Sequence, residues 1–517
     1  MRYGTRSVFV ALCLLIPLAA ISASGSKESS STTQAGRQVN LVGYLLGDPP
    51  AGMPDVLAAL NAKLKADLNV TTQINYIGWG DLQAKYPLVL AAGENIDWIY
   101  TANWCFYFQQ AARGAFYELS DAMLQKDMPL HSKSLPKAGW DQARLPDGKL
   151  YMIPTATPDR KVPVAVIRGD LRKKYGVPPV TKLADIEPYL KAIKDNEPSM
   201  IPMDLDSQYD IGRPFADLAY EHGPYIEDIL FTTGGGSGLD WLLTPGDTKL
   251  HYLLDEPILS WERSAAQTMK RWYDAGYINK DVFANKVRSK ESFVQGKSAV
   301  GFGNSVDIQS TISGATANGW DVELIPEVDG NGHFRADPFI NNGVGLAAST
   351  KNADKTLQML DLIMENKAYD FLVYFGIEGK NYIMTSDGKV GLPPGLAADK
   401  NTYPPDVSGF WFTNKDLFPP MASWTPAYAQ HRKDIVDKHY LVTTPWVSFS
   451  PVVDQIKTEV ANCNQTIIQY AQPMWIGAVP DVNQALATLD GKLKAAGIDR
   501  IREVLQPQVD TYMKRFQ

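Results

Sequence analysis

The chain has 517 residues, more than a single domain usually holds, so two or more lobes with their own hydrophobic cores are expected. Its formal net charge is −7, and its lysines and arginines form no dense run. This balance excludes the basic surface with which proteins bind nucleic acid, and no nucleic-acid partner is expected.

Residues 1–25 have the layout of a secretory signal peptide. Arg2 and Arg6 precede an apolar run from Val8 to Ile21, and small residues follow it. The run is too short to cross a bilayer comfortably, and no other stretch approaches the roughly 20 apolar residues of a membrane span. The pattern therefore predicts an exported protein, in the periplasm or at the cell surface. Residues 26–37 are polar and rich in serine and threonine, which predicts a flexible leader.

The stretch 22–33 resembles the start of a bacterial lipoprotein, in which a cysteine occupies the place of Ser24 in this chain. Serine has no thiol for diacylglycerol attachment, so lipid anchoring is not expected at that position. Cys13 lies in the predicted signal peptide, which leaves Cys105 and Cys463. These two form no CxxC pair, and the sequence leaves open whether they form a disulfide or remain two buried thiols.

Residues 38–100 alternate between short apolar runs and helical patterns. Strands are predicted at 39–46, 71–77 and 96–100, and helices at 54–69 and 81–92. The first helix has a predicted buried stripe of apolar residues at helical spacing: Val56, Leu57, Leu60, Leu64 and Leu68. This βαβαβ order predicts a parallel sheet, with ligand-binding residues just after the carboxyl ends of its strands.

Further along, a turn at 147–151 leads into one strand, and residues 164–167 begin another. Helices dominate from residue 181, including 258–275, until strands at 298–302 and 320–325. A glycine-punctuated strand at 343–346 precedes a helix over 351–364 that is expected to bury Leu357, Leu360 and Met364. A helical region at about 450–515 ends the chain. The chain is predicted to pass between two lobes near 156–165 and to return near 326–345.

Several strings in these segments resemble family 1 extracellular solute-binding proteins of ABC importers, and in particular the LipO-like branch associated with aldouronate and oligosaccharide uptake. The strings are NNGVG at 341–345, DGKLY at 147–151, IRGDLRKKYG at 167–176, FVQGK at 293–297, YFGIEGKNY at 374–382 and LKAAGID at 493–499. The resemblance spans about residues 38–515. It implies a periplasmic-binding-protein-like α/β fold of two lobes, joined by a hinge of crossing strands and ending in a helix-rich C-terminus.

On this resemblance, residues 38–156 with about 337–395 form the first lobe, and residues 157–336 with about 396–517 form the second. The implied function is the capture of a carbohydrate, expected to be an oligosaccharide, in the cleft between the lobes. The ligand is then delivered to the membrane permease of an ABC transporter, and no bond is made or broken. A monomer is expected.

No motif indicates a cofactor or a metal site. The six histidines have no zinc-binding spacing, and GKS at 296–298 lacks the glycine that a phosphate-binding loop needs at position 291. The alternative function is a secreted glycoside hydrolase, which needs two carboxyl groups flanking the scissile bond. Asp204 with Asp206, or Asp97 opposite Glu118, are the candidate pairs. A surface adhesin shares the signal peptide and the aromatic residues, but we find neither the repeats nor the anchor that it usually carries.

A sugar presents C–H faces and a rim of hydroxyl groups, so a binding cleft needs aromatic rings and side chains that exchange hydrogen bonds. Asn103 and Trp104 directly follow a predicted strand, and Tyr44 and Trp79 are taken to follow the two preceding strands. The full set of predicted ligand-binding residues is Tyr44, Trp79, Asn103, Trp104, Tyr151, Asp206, Asn304, Asn342, Trp411 and Trp424. Arg160, Lys161 and Arg335 are either surface charges or partners for a uronate carboxylate.

Overall fold

The computed structural model describes residues 38–78, 81–93, 95–231 and 235–516. The predicted signal peptide, the predicted leader and Trp79 lie outside the described residues. Within the described ranges, no helix combines the length and apolar character that a membrane span requires.

The first segment of the chain builds most of one sheet, and its predicted βαβαβ order is confirmed. Its elements are β1 (Val39–Leu46), α1 (Met53–Leu68), β2 (Val70–Ile77), α2 (Leu82–Ala92), β3 (Trp98–Thr101), α3 (Tyr107–Ala112), α4 (Asp121–Asp127), α5 (Pro129–Ser134), α6 (Lys137–Ala143) and β4 (Ile153–Pro154). In α1, Val56, Leu60 and Leu64 are buried as predicted, because they recur on one face of the helix, whereas Leu57 and Leu68 at the edges of that face are only partly buried.

The second segment forms a separate, mainly antiparallel arrangement with a larger share of helix. Its elements are β5 (Pro163–Arg168), α7 (Gly169–Lys174), α8 (Glu187–Asn196), α9 (Arg213–Tyr220), β6 (Ile226–Asp228), β7 (Leu239–Leu242), β8 (His251–Tyr252), α10 (Ile258–Asp274), α11 (Ser289–Val294), β9 (Val300–Asn304), α12 (Ile308–Ala317), β10 (Val322–Pro326) and β11 (Phe334–Arg335). Strand β5 lies between β10 and β9, and β6, β7 and β8 form a second small sheet.

The last segment returns to the first sheet and then supplies the C-terminal helices. Its elements are β12 (Gly343–Leu346), α13 (Ala353–Glu365), α14 (Lys367–Phe375), β13 (Ile383–Met384), β14 (Val390–Gly391), α15 (Pro426–Asp437), β15 (Leu441–Val442), α16 (Lys457–Thr466), a π-helical turn (Ile467–Ala471), α17 (Gln472–Trp475), α18 (Val482–Ala496) and α19 (Ile498–Met513). The predicted helix after the glycine-punctuated strand is confirmed, and its Leu357, Leu360 and Met364 are buried.

The first sheet has the strand order β2-β1-β3-β12-β4. Strands β2 and β3 run parallel to β1, whereas β12 runs antiparallel to both β3 and β4. Gly43 permits the close approach of β3, because a Cβ atom there would lie 2.0 Å from the indole of Trp98. The parallel strands bring their carboxyl ends to one edge of the sheet, where Trp104 follows β3.

Two hydrophobic cores divide the described chain into two lobes. The first core surrounds the five-stranded sheet and includes Trp98, Tyr100 and Leu360. The second core combines β5 and β9 with α8–α10 and the C-terminal helices, and includes Trp272 and Leu489. Three buried aromatic residues that follow the predicted lobe boundary near 395 belong to the first core: Tyr403, Phe410 and Phe412.

The chain passes between the two sheets at identifiable segments. It leaves the first sheet after Pro154 and enters the second at Pro163, and it returns between Pro326 and Gly343. A third passage follows Phe412, because Tyr428 packs against Val164 and Val166 in the second lobe.

The cysteines lie in different cores, Cys105 in the first and Cys463 in the second. Both are free thiols, so of the two alternatives the structure contains buried thiols and no disulfide between them. Burial raises the pKa of each thiol to about 12.

Candidate functional site

A cleft of about 950 Å³ lies where the two lobes and the three passages meet. We call it the inter-lobe cleft. Its first wall comes from the first lobe, its second wall comes from α15 and the loops after β9, and its floor comes from the connecting segments. Its aromatic, charged and amide-bearing lining includes Trp104, Asp159, Arg160, Lys161, Asn342, Tyr374, Asp406, Trp411, Lys415, Trp424, Tyr428, Arg432 and Lys433.

The first wall is built on Tyr100, a fully buried residue of β3. The ring centroid of Tyr100 lies 5.8 Å from that of Trp104 and 5.4 Å from that of Trp411, so the two indoles flank one phenol. The indole nitrogen of Trp104 donates to the carbonyl oxygen of Asn341 at 2.9 Å, and that of Trp411 donates to the carbonyl oxygen of Asp406 at 2.8 Å. These hydrogen bonds fix the indole orientations, while Trp104 keeps 47% of its surface exposed for a ligand.

The second wall contains Trp424, in the loop just before α15, and Tyr428, in the first turn of α15. Their rings meet edge to face with centroids 5.1 Å apart, and the Tyr428 hydroxyl donates to the carbonyl oxygen of Ser305 at 2.5 Å. The buried indole nitrogen of Trp424 has no hydrogen-bond partner within the described ranges. It is therefore a donor that a bound ligand could satisfy.

Arg432 lies beside these rings, with its guanidinium carbon 6.0 Å from the centroid of Trp424. It donates to the carbonyl oxygens of Arg160 at 3.1 Å and Ser305 at 3.2 Å. Among the described residues it has no carboxylate partner within ion-pair distance. The guanidinium charge is consequently uncompensated at this wall.

The floor contains a charge cluster centred on Asp159, in the first connecting segment. Asp159 forms ion pairs with Lys415 and, at 3.0 Å, with Lys161. Burial alone would raise the pKa of this carboxyl, but the two ammonium groups outweigh burial and hold its pKa below the usual range. Asp159 is therefore ionised at neutral pH.

The same cluster ties the connecting segments to one another. Lys161 also lies 3.5 Å from Asp337 in the returning segment, and Asp337 lies 3.2 Å from Arg335. In the third segment, Asp416 pairs with Arg160 at 2.5 Å. The charge cluster therefore links all three segments that pass between the lobes.

Two further polar groups face the cleft beside this cluster. The amide of Asn342 accepts from the Tyr100 hydroxyl at 2.8 Å and donates to Asp159 at 3.4 Å. Burial raises the pKa of Asp406, although the nearby Lys415 charge and a hydrogen bond from Tyr374 lower it. The cleft thus combines flat aromatic faces on both walls with hydrogen-bonding groups between them, which suits a ligand with apolar faces and many hydroxyl groups.

Of the residues predicted from the sequence, Trp104, Asn342, Trp411 and Trp424 are brought together in the cleft. Asn103 lies beside them, where its side-chain oxygen accepts from the backbone amide of Trp104 at 2.9 Å. Tyr44 lies within β1 and packs against the first core, because the strand continues through Leu45 and Leu46.

The other predicted residues lie elsewhere in the described chain. Tyr151 packs against the first core. Asp206 is fully buried and accepts from the backbone amides of Tyr209 and Asp210, which stabilises its own loop. The side-chain oxygen of Asn304 accepts from the amide of Val306 at 2.9 Å, as in an ordinary asparagine turn.

Sequence reasoning missed Asp159, Tyr374, Asp406, Lys415 and Tyr428. They lie in connecting segments and at helix ends without hydrophobic periodicity, so no local pattern distinguishes them from surface residues. Arg160, Lys161 and Arg335, which the sequence left open as surface charges or uronate partners, all have carboxylate partners within the protein: Asp416, Asp159 and Glu227, respectively.

The carboxyl pairs considered for a hydrolase do not line the inter-lobe cleft. Asp204 accepts from Ser292 at 2.7 Å, and Asp97 accepts from Thr350 at 2.6 Å, so both are engaged in the cores. Glu118 pairs with Lys149 at 3.0 Å on the surface. No group of three or more His, Cys, Asp or Glu side chains in the described ranges is placed to hold a metal ion.

Comparison with known proteins identifies the relatives of this chain. A full-length relative, a carbohydrate ABC transporter substrate-binding protein from Streptococcus pneumoniae serotype 4, is 24% identical over 99% of both chains. The polygalacturonan/rhamnogalacturonan-binding protein YtcQ from Bacillus subtilis strain 168 is 27% identical over 52% of both chains.

Among solved structures, the N-glycan transport solute binding protein NgtS from S. pneumoniae matches with a TM-score of 0.73, at 21% identity over 92% of this chain and 100% of that one. A model for a domain of unknown function, DUF3502, matches residues 445–514. The model for bacterial extracellular solute-binding proteins matches residues 50–375, more than half of the chain, and the protein therefore belongs to that family.

Proposed function

We propose that this protein binds an oligosaccharide in the inter-lobe cleft and delivers it, chemically unchanged, to the membrane permease of an ABC importer. The observation that carries the proposal is the pairing of aromatic side chains on opposite walls, the exposed Trp104 and the partly exposed Trp411 against the partly exposed Trp424, which packs on the buried Tyr428. Two named relatives support it, the carbohydrate ABC transporter protein and NgtS, which has also been solved in complex with Man1GlcNAc.

Each part of the cleft has a role in this proposal. The indole rings stack on the C–H faces of sugar rings, and Asn342, Asp159 and Asp406 exchange hydrogen bonds with hydroxyl groups. A ligand that contacts both walls binds the closed arrangement of the lobes more tightly than the open one, so it shifts the population towards closure. The permease then recognises the closed form.

Among possible oligosaccharide ligands, Arg432 favours an acidic one over a neutral one, of the kind that the LipO-like branch takes up. It is the cleft cation without a carboxylate partner among the described residues, and a guanidinium can hold a uronate with two parallel hydrogen bonds. The relative named for binding polygalacturonan and rhamnogalacturonan is consistent with this choice.

The proposal also places the mature protein outside the cytoplasmic membrane, as a monomer without a lipid at Ser24. Membership of an extracellular solute-binding family supports export. The absence of a thiol at position 24 is the reason for expecting no lipid there.

A thermal-shift screen of oligosaccharides against the mature protein tests the ligand class, because a ligand that binds the native state raises the unfolding temperature. The panel should pair each neutral oligosaccharide with a uronate-bearing one of the same length. We expect at least one oligosaccharide to raise the unfolding temperature. Its uronate-bearing partner should raise the temperature further, and this extra shift should disappear in Arg432→Gln. A panel without any shift would contradict sugar binding. An extra shift for the acidic partner that persists unchanged in Arg432→Gln would contradict the role of Arg432, and no extra shift in the unmodified protein would contradict the acidic preference.

The hydrolase alternative is tested with the same ligands. Asp159 and Asp406 are carboxyl groups that line the cleft, but Asp159 is held between two lysines, so it is poorly placed to serve as a free acid or nucleophile. We expect chromatography to recover the bound oligosaccharide intact after prolonged incubation. Cleavage products that disappear in Asp406→Asn would instead establish an enzyme.

A further inference from the structure

A second cavity, of about 370 Å³, lies inside the second lobe between α9, α10 and the β6–β7 hairpin. We call it the acidic cavity. Its residues differ from those of the inter-lobe cleft, and nothing in the proposed function uses it. Tyr209, which is 56% exposed, lies among its lining residues, so the cavity reaches the surface. Its volume falls within the range of small-molecule sites.

The cavity contains carboxyl groups that have no cation partner among the residues that the structure describes. Both arginines that line it are engaged, Arg335 with Glu227 at 2.7 Å and Arg213 with Glu327 at 2.8 Å. Asp228, Asp240 and Glu262 remain. Asp228 is satisfied by N–H donors, including the backbone amides of Ser237 and Gly238, each at 2.6 Å.

Asp240 and Glu262 have no such partners. Each is only 7% exposed, and neither forms a hydrogen bond or an ion pair with any residue in the described part of the chain. Asp240 is also the direct cross-strand neighbour of Asp228 in the β6–β7 pair, an arrangement in which like charges destabilise a sheet. Burying an unpaired carboxylate is expensive, and the protein does so twice around one cavity.

The free-energy cost of burying these charges favours the protonated form of both carboxyl groups. Burial, together with the charge of Asp228, raises the pKa of Asp240 well above its usual range, and burial raises the pKa of Glu262 to about 8. Without a ligand the cavity therefore holds protons that a bound cation could replace, with release of those protons to solvent.

The rest of the lining indicates the type of cation. Tyr220, Tyr225 and Phe334 form a continuous aromatic cluster, with centroid separations of 4.8 Å and 4.6 Å. Aromatic faces attract ammonium groups and cover apolar chains, whereas a bare metal ion would need several more oxygen ligands. The volume is also far larger than one ion requires.

We infer that the acidic cavity is a binding site for a small organic cation with a primary ammonium group, which Asp240 and Glu262 hold beside the aromatic cluster. Neutral polyols are disfavoured because they carry no positive charge to offset the two buried carboxylates. The site shares no lining residue with the inter-lobe cleft, so it stands or falls separately from oligosaccharide binding.

The test is calorimetric titration of the full mature protein at pH 8 with putrescine as the cation and butane-1,4-diol as the neutral molecule of matched length. We expect saturable binding of one putrescine and none of the diol. Asp240→Asn and Glu262→Gln keep the side-chain shapes and should each weaken putrescine binding at least tenfold. Asp255→Asn, which alters an exposed acid near the start of α10, is the matched control and should bind as the unmodified protein does.

The two carboxyl variants remove buried charges, so they should fold, and circular dichroism checks that they do. If one misfolds, the other still tests the site. The inference is overturned if putrescine shows no saturable binding up to about 10 mM, if both folded variants bind it unchanged, or if the diol binds equally well. The last result would instead identify a site for neutral polyols.

Discussion

The charge cluster on the cleft floor should be a stabilising feature of the hinge, and replacing Asp159 with asparagine tests it. The substitution leaves Lys415 and Lys161 facing each other without the carboxylate between them. Removing one partner of a fully buried ion pair costs about 3–5 kcal/mol. The side chains here retain 12% (Asp159), 20% (Lys415) and 34% (Lys161) of their exposure, so solvent screens part of that cost. We expect Asp159→Asn to lower the free energy of unfolding by about 2–3 kcal/mol.

A double-mutant cycle separates the ion pair from other effects of the substitution. Urea denaturation at pH 7 should be measured for Asp159→Asn, Lys415→Met and the combination of both, for which a coupling energy of about 1–3 kcal/mol is expected. The control is Asp387→Asn, since its pair with Lys389 at 2.8 Å is largely exposed and should contribute about 0–1 kcal/mol.

The effect of Asp159 has a defined pH dependence. Its folded-state pKa is lowered, so its contribution is fully present above the unfolded pKa of about 4 and is lost as the pH falls below that value. The difference between the unmodified protein and Asp159→Asn should therefore shrink in acid. An Asp159→Asn variant no less stable than Asp387→Asn at pH 7 would refute the reasoning.

Three further outcomes are expected. Trp104→Ala should weaken binding of the oligosaccharide found by the screen by about 2 kcal/mol, or roughly thirtyfold in Kd, because about 80 Å² of stacking surface is lost. Calorimetry measures this loss. The control is Phe283→Ala, whose side chain is similarly exposed (48%) but lies outside the cleft, and it should bind the oligosaccharide as the unmodified protein does. The folded-state pKa of Glu262 is raised to about 8, so its contribution to stability is present below the unfolded pKa of about 4.5 and is lost as the pH rises through 8. The free energy of unfolding of the unmodified protein should therefore decline between about pH 4.5 and 8. In Glu262→Gln this decline should be flatter. Cys105 and Cys463, with pKa values near 12, should resist a thiol reagent at pH 8 until the protein is unfolded, and rapid labelling of the native protein would contradict their burial.

Much of the first lobe could be predicted from the sequence, because local patterns specify it. The spacing of Val56, Leu60 and Leu64 indicates one buried helix face, and the short apolar runs on either side indicate buried strands. Once the order is βαβαβ, its three strands must run parallel and their carboxyl ends must meet at one edge, whereas the antiparallel β12 and β4 complete the sheet from elsewhere in the chain. That rule placed Trp104 in the cleft. It misplaced Tyr44, because the end of a strand is less sharply marked in the sequence than its existence.

The charges of the cleft could not be predicted in the same way. Asp159 and Lys415 are separated by 256 positions, and neither lies in a periodic segment. Their contact exists only because three connecting segments converge between two independently formed cores. The sequence also gives no sign that Asp228 and Asp240 lie opposite each other, since this depends on the register of a short antiparallel strand pair inside the second lobe.

The sequence by itself determined the order of elements in the first lobe and the aromatic residues that follow its strands, because these depend on residues that are neighbours along the chain or share one face of a helix or strand, and the family resemblance supplied the two-lobed α/β class. Only the tertiary structure decided which charges meet, which carboxyl groups stay unpaired and which aromatic rings face one another. Those relations depend on distances between segments far apart in sequence, and a side chain acquires its electrostatic role only from the groups that folding brings beside it.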